Sequence, residues 1–215
     1  KRHKNPNEPC LSVNGDKKTW NCHHCGWAGC IEQDSGNDRP KNYHRPQVKV
    51  PESEQMAPLA AKWFAGRGIG VNTLRELKIF TTQRWLPATG KQTNVIAFPF
   101  FRNGELLNVK YRDARKNMSQ EKNHEPTMFN IDACREAEAV AITEGELDTA
   151  ALVESGFIAA CSVDNGAPGP NDQSVEGKLA CVKNCKDILA RNTPNQNLDH
   201  ISLGILQGFL QVAHL

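Results

Sequence analysis

The chain has no apolar run near the roughly 18–20 residues that cross a bilayer, and no secretory leader is visible at its start. A soluble, cytoplasmic protein with no membrane partner is the expectation. Tyrosine is scarce. Of the two, Tyr43 lies in a polar stretch and Tyr111 in the apolar phase of a strand pattern, so no tyrosine nucleophile stands out. There is no internal repeat. A phosphate loop is missing too: "ATGKQT" (88–93) lacks the first glycine of that motif and has no Ser or Thr after Lys91, so it reads as a turn. Between Glu136 and Glu176 basic residues are absent, while nine acids fall there.

What is present is lopsided in charge. The net +2 hides a stretch from Lys62 to Lys122 with twelve Lys or Arg against four acids, Glu76, Glu105, Asp113 and Glu121. A basic middle followed by an acidic segment suggests a polyanion held beside a divalent-metal site. The plain alternative is ordinary solvated surface. Eight cysteines would suggest disulfides in a short secreted chain, but nothing else here looks secreted. A C-x-x-C pair therefore reads as a metal site and the other cysteines as reduced thiols. The sequence starts with Lys1 rather than Met, which points to a fragment or a processed chain.

Along residues 1–30, "CLSV", an Asn-Gly turn and "TWNC" predict a β-hairpin that delivers Cys22 and Cys25 in a C-x-x-C knuckle. So small a hairpin buries little surface, and a metal is the expected core. Residues 31–56 lack periodicity and are rich in Pro, Asn and charge, as a linker is. Pro58 opens a helical pattern, and "VNTLRELKI" predicts a second helix capped by Asn72 or Thr73. "NVIAFPFFRNGELLNVKYRD" reads as a hairpin turning at Asn103-Gly104. Period two then places Asn108, Lys110 and Arg112 on one face. From Glu136 the pattern becomes strand, helix, strand, which predicts a parallel sheet with crossover helices.

The stretch "AVAITEGELDTAALVESGF" (139–157) sets Glu144, Gly145, Glu146 and Asp148 on the turn between a buried strand and a helix. Ligands of doubly wound sheets sit beyond the carboxyl ends of the strands, where Glu144 falls. Gly145 lets backbone pass close to a ligand. Asp148, four residues on, can share a face with Glu144, and two carboxylates suit Mg²⁺ completed by waters and substrate phosphates. Glu146 reads better as an acid complementing the helix dipole.

"ITEGELDTAALVESGF" followed by "SVDNGAPG", with the ribbon "CLSVNGDKKTWNCHHCGW" and the strand "NVKYRD" in the same order, resembles phage T7-type primase–helicases and the mitochondrial Twinkle helicase family over roughly residues 1–190. The resemblance implies an α+β multidomain chain. Its parts would be a partial zinc ribbon at 1–30, a linker at 31–56, a basic primase subdomain at 57–135 and an incomplete α/β Toprim domain at 136–215, atypical after 191. It implies Glu144 as the catalytic glutamate and Asp148 as its companion Mg²⁺ acid. Lys110 and Arg112 would be the cations that meet nucleotide or nucleic acid. Zinc would sit on Cys22 and Cys25. The implied partners are a single-stranded DNA template, ribonucleoside triphosphates and a helicase domain or subunit. A Twinkle-type relative would be mitochondrial or plastid, in place of a cytoplasmic setting in a phage or bacterial host.

Two departures bear on that picture. The family's ribbon uses two C-x-x-C pairs, and only Cys22 and Cys25 are seen; Cys10, His23, His24 or Cys30 are the substitutes at hand, and weak zinc binding or none is expected. The family's Asp-x-Asp pair is also missing after Arg191, where Asp199 stands alone. There the apolar positions Ile201, Ile205, Leu206, Phe209 and Leu210 suit an amphipathic helix, and a frameshift or mis-set end is expected. Asp164 lies in the loop after the second strand and does not replace the pair. The reading of a primase-type domain therefore stands beside a second: a non-catalytic single-stranded DNA-binding module. A Toprim nuclease or topoisomerase fits less well.

Overall fold

Short alternating runs on either side of an Asn-Gly dipeptide form the hairpin that such a dipeptide favours. β1 (Leu11–Asn14) and β2 (Thr19–Cys22) pair antiparallel with Leu11 opposite Cys22, and β3 (Ala28–Cys30) joins the other side of β2. The computed structural model describes residues 11–15, 19–22, 28–30, 42–51, 56–166, 177, 179–189 and 211–214. The chain divides into two compact units, Lys1–Asn42 and Tyr43–Leu215. Cys22 is buried at the end of β2, whereas Cys10, His23, His24, Cys25 and Asp199 lie outside the described residues.

The second unit is built on a four-stranded antiparallel sheet: β4 (Phe80–Leu86), β5 (Lys91–Arg102), β6 (Glu105–Arg112) and β7 (Met118–Gln120), in that order. The β5–β6 turn is the one expected, since Asn103 and Gly104 both take positive φ, 55° and 74°. That is the backbone an Asn-Gly hairpin turn requires. Pro99 is tolerated in the long strand because β4 pairs only as far as Phe80 opposite Ala97, so no strand faces Pro99 on that side. Two findings correct the sequence reading. Residues 91–93 of "ATGKQT" belong to β5, and β4 was not foreseen at all.

Helices α1 (Pro58–Ala65) and α2 (Val71–Glu76) follow the predicted order, but Gly70, not Asn72 or Thr73, is the residue before α2. Its missing cap comes from elsewhere in the chain: Glu154 accepts hydrogen bonds from Gly70 N (2.8 Å) and Thr73 Oγ1 (2.5 Å). The Gly70 bond satisfies a backbone donor that a helix start leaves open, and the two bonds hold the Glu154 carboxyl below its ordinary pKa.

The α/β part contains β8 (Ala139–Thr143), α3 (Glu146–Glu154) and β9 (Ala160–Ser162), with β8 and β9 parallel as expected. Strand alternation divides β8 between two cores. Ala141 joins Phe64, Leu74, Phe98, Phe100, Phe129 and Val153, a core shared by the helices and one face of the antiparallel sheet. Val140 and Ile142 face the opposite way, onto Ile131, Cys161, Val182 and Ile188. The short helices Ala180–Asn184 and Lys186–Leu189 close that second core. Residues 201–210, read above as an amphipathic helix, lie outside the described residues. β10 (Gln211–His214) pairs antiparallel with β8.

Candidate functional site

The acidic turn is tightened by threonine. Thr143 ends β8 with its hydroxyl 2.8 Å from that of Thr149 and 3.1 Å from the Gly145 carbonyl, so strand passes to helix within two residues. This packing settles which acids are free. Glu144 on the turn and Asp148 in the first turn of α3 are exposed; Glu146 between them is buried.

Glu146 therefore does more than complement the helix dipole. Its Oε1 lies 2.8 Å from Lys110 Nζ, and the same ammonium donates to the Asp164 carbonyl at 2.7 Å. Lys110 thus reaches from β6 to the acidic turn and to the loop after β9 at once. The carboxylate it meets is that of Glu146, not the Glu144 singled out from sequence. Glu144 lies near the same loop: a Cβ on Gly166 would come 3.7 Å from its Oε1. Glu144, Glu146, Lys110 and residues 164–166 are brought together.

Residues not singled out from sequence fasten this loop. Gln120 Nε2 donates to Asn165 Oδ1 (3.1 Å), and Gln120 in turn accepts from the buried Asn108 Nδ2 (3.2 Å). Asp164 is 1% exposed, its carboxylate shut away from solvent. An ionised carboxylate in such a place is costly without a charged neighbour, and His124 supplies one, with Nε2 3.6 Å from Asp164 Oδ2. Burial works against charge on His124, but the Asp164 carboxylate and the Glu121 carbonyl, 2.8 Å from Nδ1, outweigh it and its pKa is raised. The Cys181 thiol is pushed up by burial and by Asp164. The signal for this group in the sequence was Asp164 itself, an acid in the loop just beyond an apolar strand.

Arg112 departs from Lys110. Although on the same strand face, its Cζ lies 4.8 Å from the Trp63 ring centroid, over which Arg67 Cζ also sits at 3.7 Å. Burial and the Arg67 charge hold its pKa below the usual value. The next residue, Asp113, is spent on its own loop, accepting from Arg115 N and from Asn117 N and Nδ2, each at 2.8 Å.

Among the described residues no three His, Cys, Asp or Glu side chains are grouped to hold a metal ion. Glu144 and Asp148 are both exposed carboxylates, the hard oxygen donor type that Mg²⁺ takes alongside waters and substrate phosphates. The zinc expectation rests on a residue outside the described set, Cys25, and on Cys22.

No protein-family model matches the chain. It is 29% identical over 194 residues to the Twinkle homolog protein, chloroplastic/mitochondrial, of Arabidopsis thaliana, an overlap of 84% of this chain and 26% of that protein. It is 28% identical over 188 residues to the Primase homolog protein of the same plant, covering 82% of this chain and 54% of the relative. The chain is a distant homologue of these two plant proteins. It spans about a quarter of one and about half of the other. Among solved structures it is similar to the primase fragment of the bacteriophage T7 primase-helicase protein, at 17% identity and a TM-score of 0.42, covering 74% of this chain and 64% of that one. The Aquifex aeolicus primase, zinc-binding and RNA polymerase domains, gives 13% and 0.42, with 77% and 60% covered. At that overlap the solved structures fix neither fold nor function. Among the described residues no helix is long and apolar enough to cross a membrane.

Proposed function

We propose that the chain is a primase-type Toprim module whose work is to join ribonucleotides on a single-stranded DNA template. The observation that carries this reading is the convergence of Lys110, Glu144 and the 164–166 loop: a cationic strand is locked against an acidic turn. Phosphoryl transfer asks a protein mainly for positioning and for neutralisation of developing charge. Glu144 and Asp148 would hold Mg²⁺, and bound there the ion would neutralise charge on the transferred phosphoryl oxygens. Glu144, which is exposed on the turn, would accept the proton of an attacking 3′-hydroxyl. Lys110, tied to Glu146, would hold the loop in place and lend positive field to the cleft, while Arg112 would meet the nucleic acid.

Cys22 and Cys25 would supply half of a zinc site. A helicase domain or subunit is the partner this reading implies. The Arabidopsis Twinkle homolog is named as a chloroplastic and mitochondrial protein, so an organellar setting belongs to the same reading.

The second reading, a non-catalytic single-stranded DNA-binding module, is favoured by one observation. The Lys110 ammonium is already neutralised by Glu146, which suits a structural lock as well as a phosphate contact. Primer synthesis from ribonucleotides with Mg²⁺ on single-stranded DNA separates the two. Primers made by the wild type and lost in Glu144→Gln support the first. Synthesis that survives the substitution removes Glu144 from the chemistry, and no synthesis with retained DNA binding supports the second.

A further inference from the structure

Three side chains fasten the loop at 164–166, and pH acts on them differently. The loop leaves β9 from a fixed point, because Phe129 and Ser162 exchange backbone hydrogen bonds at 2.9 and 3.2 Å. Beyond it Lys110 donates to the Asp164 carbonyl and Gln120 to the Asn165 amide oxygen. The third fastener is His124, which meets the Asp164 side chain. Of these three side-chain types only imidazole ordinarily changes charge between pH 5 and 8.

His124 lies between two acceptors. Its Nδ1 is 2.8 Å from the Glu121 carbonyl oxygen, and its Nε2 is 3.6 Å from Asp164 Oδ2. A carbonyl oxygen can only accept, so Nδ1 must carry hydrogen. A neutral ring has one N–H, so its Nε2 would then turn a lone pair toward the carboxylate. The contact is favourable only with one further proton between Nε2 and Oδ2, whichever atom it sits nearer. With side chains 12% and 2% exposed, water does little to relieve the mismatch once that proton leaves.

The other charges around the pair are engaged elsewhere. The Glu121 carboxylate accepts from the Tyr111 hydroxyl and pairs with Arg84. Glu125 pairs with Arg45 and Arg102, and Lys110 with Glu146. Burial pushes the Cys181 thiol beside Asp164 upward, so it stays neutral. Exposed Lys122 and His44 complete the surroundings, the latter donating its backbone N–H to the Asn123 carbonyl at 2.9 Å.

We propose that the His124–Asp164 pair is a proton site that latches the 164–166 loop beside the acidic turn. With the proton bound the loop is held at three points. When the proton leaves as pH rises, carboxylate and lone pair repel, and the Asp164 end of the loop is released. Gly166 is where the loop comes near Glu144, so His124 is a positioning residue for that carboxylate, acting through Asp164. Burial opposes charge on His124, yet Asp164 and Glu121 raise its pKa, which is the direction the latch requires. The contribution of a raised value is present below the unfolded histidine value and lost as pH climbs through the folded one. The inference rests on the reading above only for what Glu144 does.

The test is amide hydrogen exchange of the full chain, in chelator and without nucleotide, read by mass spectrometry on peptides spanning 162–166. Rates measured from about pH 6 to about pH 8 are divided by the intrinsic base-catalysed rate. Protection in the wild type should fall roughly threefold or more as pH rises. Asp164→Asn should keep protection level across that range, because a side-chain amide can donate to Nε2 of the neutral ring. His124→Gln should also lose the pH dependence, and His44→Gln should keep it. A level wild-type profile would overturn the proposal. So would a slope that survives in folded Asp164→Asn or His124→Gln, or one that His44→Gln abolishes. A second measurement needs no substitution. Nitrogen-15 NMR of ring-labelled histidine should show an imidazole that titrates above about 6.5 and whose neutral form carries its proton on Nδ1. If no ring does so, the latch is wrong. Neither readout involves primer synthesis, so the latch and the primase reading can fail separately.

Discussion

Lys110 and Arg112 stand two residues apart on one face of one strand, yet they live in opposite electrostatic settings. Lys110 meets a buried carboxylate at 2.8 Å and a carbonyl at 2.7 Å. Arg112 meets an indole and another guanidinium. The strand pattern dictates only that both leave the sheet on the same side; what lies across from each decides whether the charge is satisfied inside the molecule or left for a ligand. A satisfied cation is part of the fold, and an unsatisfied one is available for recognition.

The largest effect should come from breaking the satisfied side. Glu146→Ala leaves the Lys110 ammonium, 14% exposed, against the Asp164 carbonyl with its carboxylate gone. Removing one partner of a buried ion pair costs about 3 kcal/mol or more, because the remaining charge keeps its desolvation without its attraction. Urea unfolding reads this directly. The double variant Lys110→Met with Glu146→Leu should recover most of the loss, since an apolar pair of similar volume is often no worse than the ions. A loss under about 1 kcal/mol in Glu146→Ala would mean that the pair is screened and that the contrast with Arg112 is one of geometry only.

How much of this could be read in the sequence follows from distance along the chain. The β5–β6 hairpin was legible because its turn chemistry and its alternation are local. So was the strand–helix–strand order around Glu144. β4 was not, because "FTTQRWL" buries little besides its two ends and depends on β5 for its pairing. The partner of Glu146 sits 36 residues away on another sheet, so no local pattern could turn that acid inward or choose it over Glu144. Trp63 was hidden in the same way: a helical aromatic looks like core until the strand opposite is known to present Arg112. Asn72 and Thr73 resembled caps by type, but the true cap, Glu154, comes from α3. Sequence resolved the elements whose signals are local, missed β4, and misjudged the contacts between elements.

A middle-sized effect is expected where charge depends on pH. His124 is the cation nearest the buried Asp164 carboxylate, and its pKa is raised on folding. The groups that act on it are Asp164, the Glu121 carbonyl and the Glu121 charge, and Asp164 also acts on the Cys181 thiol. A raised folded-state value contributes stability that is fully present below the unfolded histidine value, about 6.5, and is lost as pH rises through the folded one. Urea midpoints should therefore fall as pH is raised from near 6 toward 8, and His124→Asn should flatten that fall. A slope unchanged in the variant would assign the pH dependence to another group and leave Asp164 without its counter-charge.

The smallest effect should come from the unsatisfied side. Arg112→Gln removes a cation–π contact of the order of 0.5–1 kcal/mol and the attraction of Asp113, but it also removes the burial of a charge and the repulsion from Arg67. Losses and gains nearly cancel, so stability should stay within about 0.5 kcal/mol of the wild type. Salt sharpens the point: screening weakens repulsion between partly exposed like charges, so the wild type should gain on the variant as salt is added. A clear loss of stability at low salt would show that Arg112 is already paired within the fold. It would then belong with Lys110, and the two positions of β6 would serve one structural purpose instead of two different ones.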